Sequence, residues 1–387
     1  MSNEKIIIVG GGGAGVSAAQ AIRSVNSTIP VTIVTKESIK PYFRPVLTSL
    51  LESLDGENKK GFFVKDEQWF LDNNIEFITD FNVAKIDSEN KTLVNSNGMS
   101  LSWSKLIIAT GSEPLVIPDA FRHRKNVFTV RTIEDTRRLY NFISGVSSVL
   151  ISGGGLLGLE AAWYILRRGI TVHVSEYFKR LLPRQLDEDG GAYLTDIISK
   201  SGVKLHTGAC IKDFSGETYL DVVLDNGEEL KAGCIVYSVG VKSSFPELTP
   251  EPPKLERGII VDEHMRSSID NIYACGDCAQ FGNFIPALWM VALKQGETAG
   301  KNAAGGDAVY QHQLYPAMLK AFDTHVMSVG SIEGSFIENR TANSFMRLFH
   351  DENGNSKGAW CIGDPQRATK LIKMVKDSSP AESSVFH

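Results

Sequence analysis

Three glycines and a distant acid are the first residues in this chain whose types and spacing could do chemistry. Gly10, Gly12 and Gly15 form G-x-G-x-x-G in the run VGGGGAG, with Gly13 and Ala14 inside the turn. Glu37 follows roughly 20 residues later. Such a loop suits a dinucleotide. One glycine makes the tight turn, one admits the backbone to a pyrophosphate, and one lets a helix close on a strand. The helix N-terminus offers unpaired N–H groups and partial positive charge to the phosphates. The acid accepts the hydroxyls of the adenosine ribose. The positioning elements are present. Ile6 to Val9 reads as a buried parallel strand, Ser17, Ala18, Ala19 and Ala21 give the next helix a small face, and Val31 to Val34 reads as a second strand.

The same plan returns. Gly153, Gly155 and Gly158, with Leu156 and Leu157 between them, follow the apolar SVLIS, and the strand Ile170 to Ser175 leads to Glu176. Behind each fingerprint comes a hairpin with an Asn-Gly turn and then an apolar strand closing on glycine, Thr92 to Gly111 in one case and Tyr219 to Gly240 in the other. Gly98 and Gly111 are spaced as Gly227 and Gly240 are. A lone glycine fingerprint is weak evidence; two copies with matching strands, acids and hairpins imply two dinucleotide sites on two Rossmann-like domains.

Proline-bearing stretches, Ser112 to Asp119 and Lys242 to Lys254, read as crossings between domains. The expected fold is α/β. A discontinuous first domain covers 1–111 and 242–309, a second is inserted over 112–241, and a small α+β C-terminal domain covers 310–387, with a poorly ordered tail. In the returning stretch, Asp277 sits at the carboxyl edge of the strand-like Ile272 to Ala274, where open α/β sheets bind ligands. Cys275 and Cys278 flank it as C-x-x-C. A redox pair of this spacing usually opens a helix, and a zinc site needs a second pair, so neither reading is favoured. Arg44, between Pro41 and Pro45, stands in a shaped loop directly after the second strand and suits a phosphate or flavin contact.

Across 387 residues the net charge of −5 argues against bulk nucleic-acid binding, and no apolar run is long enough to span a membrane. The N-terminal segment has no signal-peptide pattern, and five cysteines without a framework suit a reducing compartment, so a cytoplasmic location is expected.

Over nearly its whole length the chain resembles the FAD-dependent pyridine nucleotide oxidoreductases. It looks most like the NADH:rubredoxin and flavorubredoxin reductases and the flavin modules of nitrite reductases. The motifs that carry the resemblance are GGGGAG, PYFRPVL, LIIATGSEP, GGGLLGLE, EYFKRLLPRQLDEDGG and IYACGDCAQ. It implies FAD in the first domain, held by Gly10, Gly12, Gly13, Ala14, Gly15 and Glu37, with Arg44, Pro45, Thr110, Gly111 and Asp277 beside it. It implies NADH in the second, at Gly153, Gly155, Leu156, Leu157, Gly158 and Gly240, with Glu176 favouring NADH over NADPH. Lys179 and Arg180 next to that acid work against the preference. Glu160 matches an acid near the meeting point of nicotinamide and flavin. Some ferredoxin reductases carry a lysine shortly after the R-P-x-L motif; here Thr48, Ser49 and Leu50 follow, which leaves Lys320 as the proposed partner of Glu160. The redox cysteines of related oxidases and disulfide reductases are missing, since no cysteine precedes Cys210. The implied activity is hydride transfer from NADH to FAD, then single electrons to a small acidic iron–sulfur protein. That partner would be steered by Arg122, His123, Arg124, Lys125, Arg137 and Arg138, and the chain is expected to be a monomer. An oxidase passing electrons to oxygen, and a non-catalytic NAD-sensing flavoprotein, are the rival readings.

Overall fold

The computed structural model describes residues 4–285 and 287–382, so the end of the tail lies outside the described residues. The chain separates into two compact units. The first comprises residues 1–46, 58–113 and 241–313; the second comprises 47–57, 114–240 and 314–387.

At the centre of the first unit is a five-stranded sheet. Its order is Ile272–Ala274, Lys105–Ile108, Ile6–Val9, Val31–Val34, Ile75–Ile78, and every neighbouring pair is parallel. Ile6, Ile7, Ile8, Ile33, Leu106, Ile107 and Ile108 are fully buried, which explains their continuous apolar runs: a parallel sheet is covered on both faces. The first nucleotide helix, Gly13–Val25, packs against the helix Trp289–Ala303. Small residues set the approach. A Cβ on Gly296 would lie 2.2 Å from the Ala14 carbonyl oxygen, and one on Gly300 would lie 2.2 Å from that of Ala18.

The second unit repeats the sheet. Its order is Lys204–Thr207, Thr171–Glu176, Ser148–Ser152, Cys234–Tyr237, Val127–Thr129, again wholly parallel. The two sheets correspond strand for strand except that the fifth strand comes last in the first unit and first in the second. Each unit also has the antiparallel hairpins expected from Asn-Gly, over Val83–Ser102 in one and Ile211–Ala232 in the other. The crossing segments Ser112–Pro114 and Val241–Ser243 pair as a two-stranded ribbon.

Residues from Ala317 onward build a five-stranded antiparallel sheet, with the helix Pro365–Lys376 packed on it through Ala368, Leu371 and Val375. Arg347 ties this sheet to the helix Glu188–Lys200. Its guanidinium donates to Asp187 at 2.9 Å, Asp189 at 2.6 Å and Glu338 at 2.7 Å. The Trp360 indole N–H donates to the same Asp187, at 3.0 Å. These contacts place the C-terminal sheet in the second unit.

Candidate functional site

Both glycine fingerprints fold into the same cradle. Gly10 and Gly153 adopt φ of +121° and +116°, and a Cβ there would sit 2.2 Å from the Ala109 oxygen and 2.3 Å from the Ser238 oxygen. Only glycine fits. Gly15 and Gly158 let each helix meet its own turn, where a Cβ would come within 1.9 and 2.0 Å of the carbonyl oxygens of Gly10 and Gly153. The middle glycines differ in kind. Gly12 and Gly155 are helix N-caps with nothing within 4 Å of a would-be Cβ. Neither cap has a side chain to satisfy the first-turn N–H groups, and neither first turn holds an acid. An open approach, unsatisfied donors and an electropositive helix end are what a pyrophosphate requires. The residues present therefore fit a dinucleotide at each turn. Leu157 stands exposed beside the second cradle, and Gly13 is packed under the Trp289 indole beside the first.

The acids do not match in register. Gly10 N–H donates to the Val34 oxygen, and Gly153 N–H to the Ser175 oxygen, both at 2.8 Å. Thr35 is thus the structural counterpart of Glu176, and Glu37 lies two residues beyond. Glu176 is buried, and its carboxylate accepts from Gly154 N–H at 2.6 Å and Phe178 N–H at 3.0 Å. It braces the glycine turn itself. Glu37 instead accepts from the Tyr42 hydroxyl at 2.6 Å and from Arg44 at 2.7 Å.

Arg44 opens the 3-10 helix Arg44–Leu51, with Pro45 next to it, exposed. Burial disfavours its charge, but Tyr42, Glu37 and Asp277 together hold the guanidinium above its usual value. Asp277 follows the edge strand. Its carboxylate accepts from Ser112 Oγ at 2.8 Å and its carbonyl from Ser243 Oγ at 2.7 Å. Thr110 Oγ1 donates to the Ser244 oxygen at 2.5 Å, and Gly111 turns with φ of +75°. Arg44, Glu37, Thr110, Gly111 and Asp277 all belong to the unit that holds the Gly10 cradle.

In the second unit Glu160 lies one turn into the helix Leu156–Leu166, part-buried. Thr48 Oγ1 donates to its carboxyl at 3.1 Å. Burial raises the Glu160 carboxyl to about 7, against the lowering effect of that hydrogen bond. Lys320 is exposed on the strand Ala317–Ala321 and makes no ion pair with Glu160. Thr48 takes the place foreseen for it. Three arginines bind the short segment that carries Thr48. Arg168 donates to the Leu51 oxygen at 3.1 Å, Arg167 pairs with Glu52 at 2.9 Å, and Arg137 grips both oxygens of Glu57. None of these partners is near in sequence, so no local pattern could have shown them. Gly240, at φ +112°, closes the strand Cys234–Tyr237 and accepts from Leu115 N–H at 2.9 Å.

The basic run is largely tied down. Arg122 pairs with Asp119 and donates to the Pro114 oxygen, Arg124 lies 4.2 Å over the Phe214 ring, and Arg138 pairs with Asp135. His123, Arg124 and Lys125 stay exposed. Cys275 and Cys278 are free and fully buried, and burial raises both thiols. That is the opposite of an activated pair. Among the described residues no cluster of His, Cys, Asp or Glu suits a metal, and no helix is long and apolar enough to cross a membrane.

The chain matches the sequence pattern of the pyridine nucleotide-disulphide oxidoreductases over residues 4–296. It is 31% identical over 389 residues to the NADH-rubredoxin oxidoreductase of Clostridium acetobutylicum, covering 98% of this chain and 96% of that one. It is 29% identical to an NADH oxidase of Methanocaldococcus jannaschii, over 84% of this chain and 76% of the relative. The crystal structure of the C. acetobutylicum NADH:rubredoxin oxidoreductase superposes with a TM-score of 0.81 at 32% identity, covering 98% of this chain and 96% of that one.

Proposed function

The chain belongs to the pyridine nucleotide-disulphide oxidoreductase family, is an NADH-linked flavoprotein reductase with FAD and NADH as its cofactors, and from that premise we propose that it passes electrons to a small acidic iron–sulfur protein of the rubredoxin kind. The pair of open, uncapped glycine cradles, one in each unit, supports the two-nucleotide part of this reading, and the acceptor rests on the likeness to an NADH-rubredoxin oxidoreductase. Gly10, Gly12, Gly13, Ala14 and Gly15 hold the ADP half of FAD. Glu37 serves the adenosine ribose, Arg44 and Pro45 the adjoining loop, Thr110 and Gly111 the turn beside the flavin, and Asp277 the ribityl chain. Gly153, Gly155, Leu156, Leu157 and Gly158 hold the pyrophosphate of NADH, with Gly240 contributing from the turn after the strand Cys234–Tyr237. Glu176 favours NADH, because a carboxylate at the ribose repels a 2′-phosphate.

Bound FAD supplies the redox chemistry, taking two electrons from the nicotinamide and returning them singly. The protein's part is to orient and to exclude. The two helix N-termini offer N–H groups and partial positive charge to the pyrophosphates, and Glu160 stands at the nicotinamide end as the one acid of its helix. No thiol takes part, since burial raises the thiols of all five cysteines, Cys210, Cys234, Cys275, Cys278 and Cys361, above their ordinary value. The reductase works as a monomer in the cytoplasm. Exposed Arg124 and Lys125, with His123 between them and Arg122, supply the charge that draws an acidic acceptor.

The test is a comparison of acceptors. Turnover with NADH is followed by the bleaching of oxidised rubredoxin and, separately, by oxygen uptake. Rubredoxin reduction many-fold faster than oxygen uptake supports the reading. Oxygen as the faster acceptor makes the chain an oxidase, and a stable, non-turning complex makes it a sensor.

A further inference from the structure

Glu160 is an acid in an unusual position. It lies five residues beyond Gly155 on the same helix, about 7 Å along the axis from the cradle. The residues between, Leu156 to Leu159, carry no charge, so it is the first charged side chain met from the pyrophosphate end. It is part-buried yet not sealed off. Among the described residues its one hydrogen-bond partner is Thr48, and no cation lies against it. The ionisable groups on the surrounding elements do not compensate. Tyr164 sits one turn on, and its hydroxyl is raised by burial and by the charges of Glu160 and Glu52. Glu52 and Arg167 satisfy each other at 2.9 Å. Lys320 is exposed on its strand, and His173 and Glu176 belong to the strand beneath, Glu176 with both oxygens engaged.

We propose that Glu160 discriminates between the oxidation states of the nicotinamide by its own ionisation. The carboxylate stabilises the cationic ring of NAD+, whereas the neutral ring of NADH is indifferent to whether the acid is charged. This rests on the reading that the second unit holds the nicotinamide nucleotide with its ring towards Glu160. The consequence follows from linkage. NAD+ binding favours the ionised acid and releases a proton from the fraction still protonated, so NAD+ binds more tightly as pH rises through the region near 7 where Glu160 titrates. Product is therefore held harder in alkali, and NADH is not.

The test is calorimetry on the oxidised holoprotein at about pH 6 and about pH 8. The ligands are NAD+ and tetrahydro-NAD, an unreactive analogue whose ring is neutral like that of NADH. If NAD+ lowers the Glu160 pKa by about one unit, its affinity rises about fivefold between the two conditions. Its binding enthalpy near pH 7 then depends on the ionisation enthalpy of the buffer. Tetrahydro-NAD shows neither effect, and Glu160→Gln abolishes both. Thr48→Val, which removes a hydrogen bond that favours the charged form, moves the NAD+ profile to higher pH. NAD+ binding that is independent of pH, or a pH dependence that survives in Glu160→Gln, overturns the proposal while leaving the nucleotide site intact. Failure of either nucleotide to bind overturns the assignment of the site itself.

Discussion

Replacing Glu160 by glutamine should make this protein more stable, and only above a certain pH. The side chain keeps its shape and can still accept from Thr48, as the carboxyl does at 3.1 Å. What it loses is the charge. Burial raises the Glu160 carboxyl from an ordinary 4.5 to about 7. Between those values the folded chain carries a proton that the unfolded chain has lost, so stability falls as pH rises through the window, and the full cost is present above about 7. The interval sets a ceiling of about 3 kcal/mol. Glu160 is only part-buried, and water screens it, so about 1 to 2 kcal/mol is expected. The assay is urea unfolding of wild type and Glu160→Gln with FAD in fixed excess, at about pH 4.5 and about pH 8. The variant should match wild type in acid and exceed it in alkali by that amount. A variant less stable at pH 8, or equally shifted at both values, would mean that the Glu160 charge does not cost the fold stability. A carboxyl kept where it costs stability is an expected mark of a site retained for function.

Other predictions concern the supports of the site. His173 is buried, accepts or donates across 3.0 Å to His206, and is lowered to about 4 by burial and by the nearby charges of His206 and Lys204. Below its ordinary 6.5 the unfolded chain takes up a proton that the folded chain refuses, so stability is lost as pH falls towards 4. His173→Gln should remove about 1 kcal/mol of the difference between unfolding at pH 7 and at pH 5, read from urea midpoints. Arg347 is 9% exposed and serves three carboxylates. Arg347→Met should cost about 3 kcal/mol, because it leaves Asp187 part-buried without its cation. Arg347→Lys should restore only part of that, since an ammonium cannot reproduce the planar fork; thermal melts of the three proteins decide it.

The nucleotide cradles were legible because their physics is local. The outer fingerprint glycines are required by their own φ or by a carbonyl a few residues away, and both copies show it. The hairpins were legible for the same reason, and their repetition exposed the duplicated fold. Counting residues to the acid was less secure. It treats Glu37 and Glu176 as equivalents, yet strand register pairs Glu176 with Thr35, and only the sheet hydrogen bonds reveal it. The environment of Glu160 was out of reach, because Thr48 lies more than a hundred residues away in sequence. The segment that carries Thr48 is placed by Arg137, Arg167 and Arg168, whose partners no periodicity announces. Arg137 and Arg138 looked like a basic patch in sequence, but Arg137 is spent on Glu57 and Arg138 on Asp135. Charge runs state composition, while their pairing is decided by tertiary structure.

Two similar cradles hold two different nucleotides in the proposed reductase, and Gly12 and Gly155 allow this to be tested without disturbing the fold. Both have ordinary extended backbone, with φ of −78° and −82°, and neither has a protein atom within 4 Å of an added Cβ. Valine at either position therefore fits the protein while obstructing a pyrophosphate, at a helix-capping cost of about 1 kcal/mol. The measurement is FAD content of the purified protein together with NAD+ affinity, for Gly12→Val and Gly155→Val. Gly12→Val is expected to lose the flavin and still bind NAD+, and Gly155→Val to keep the flavin and lose NAD+. Retention of both ligands in both variants, or loss of flavin from Gly155→Val alone, would mean that the two turns do not hold the two nucleotides in this way.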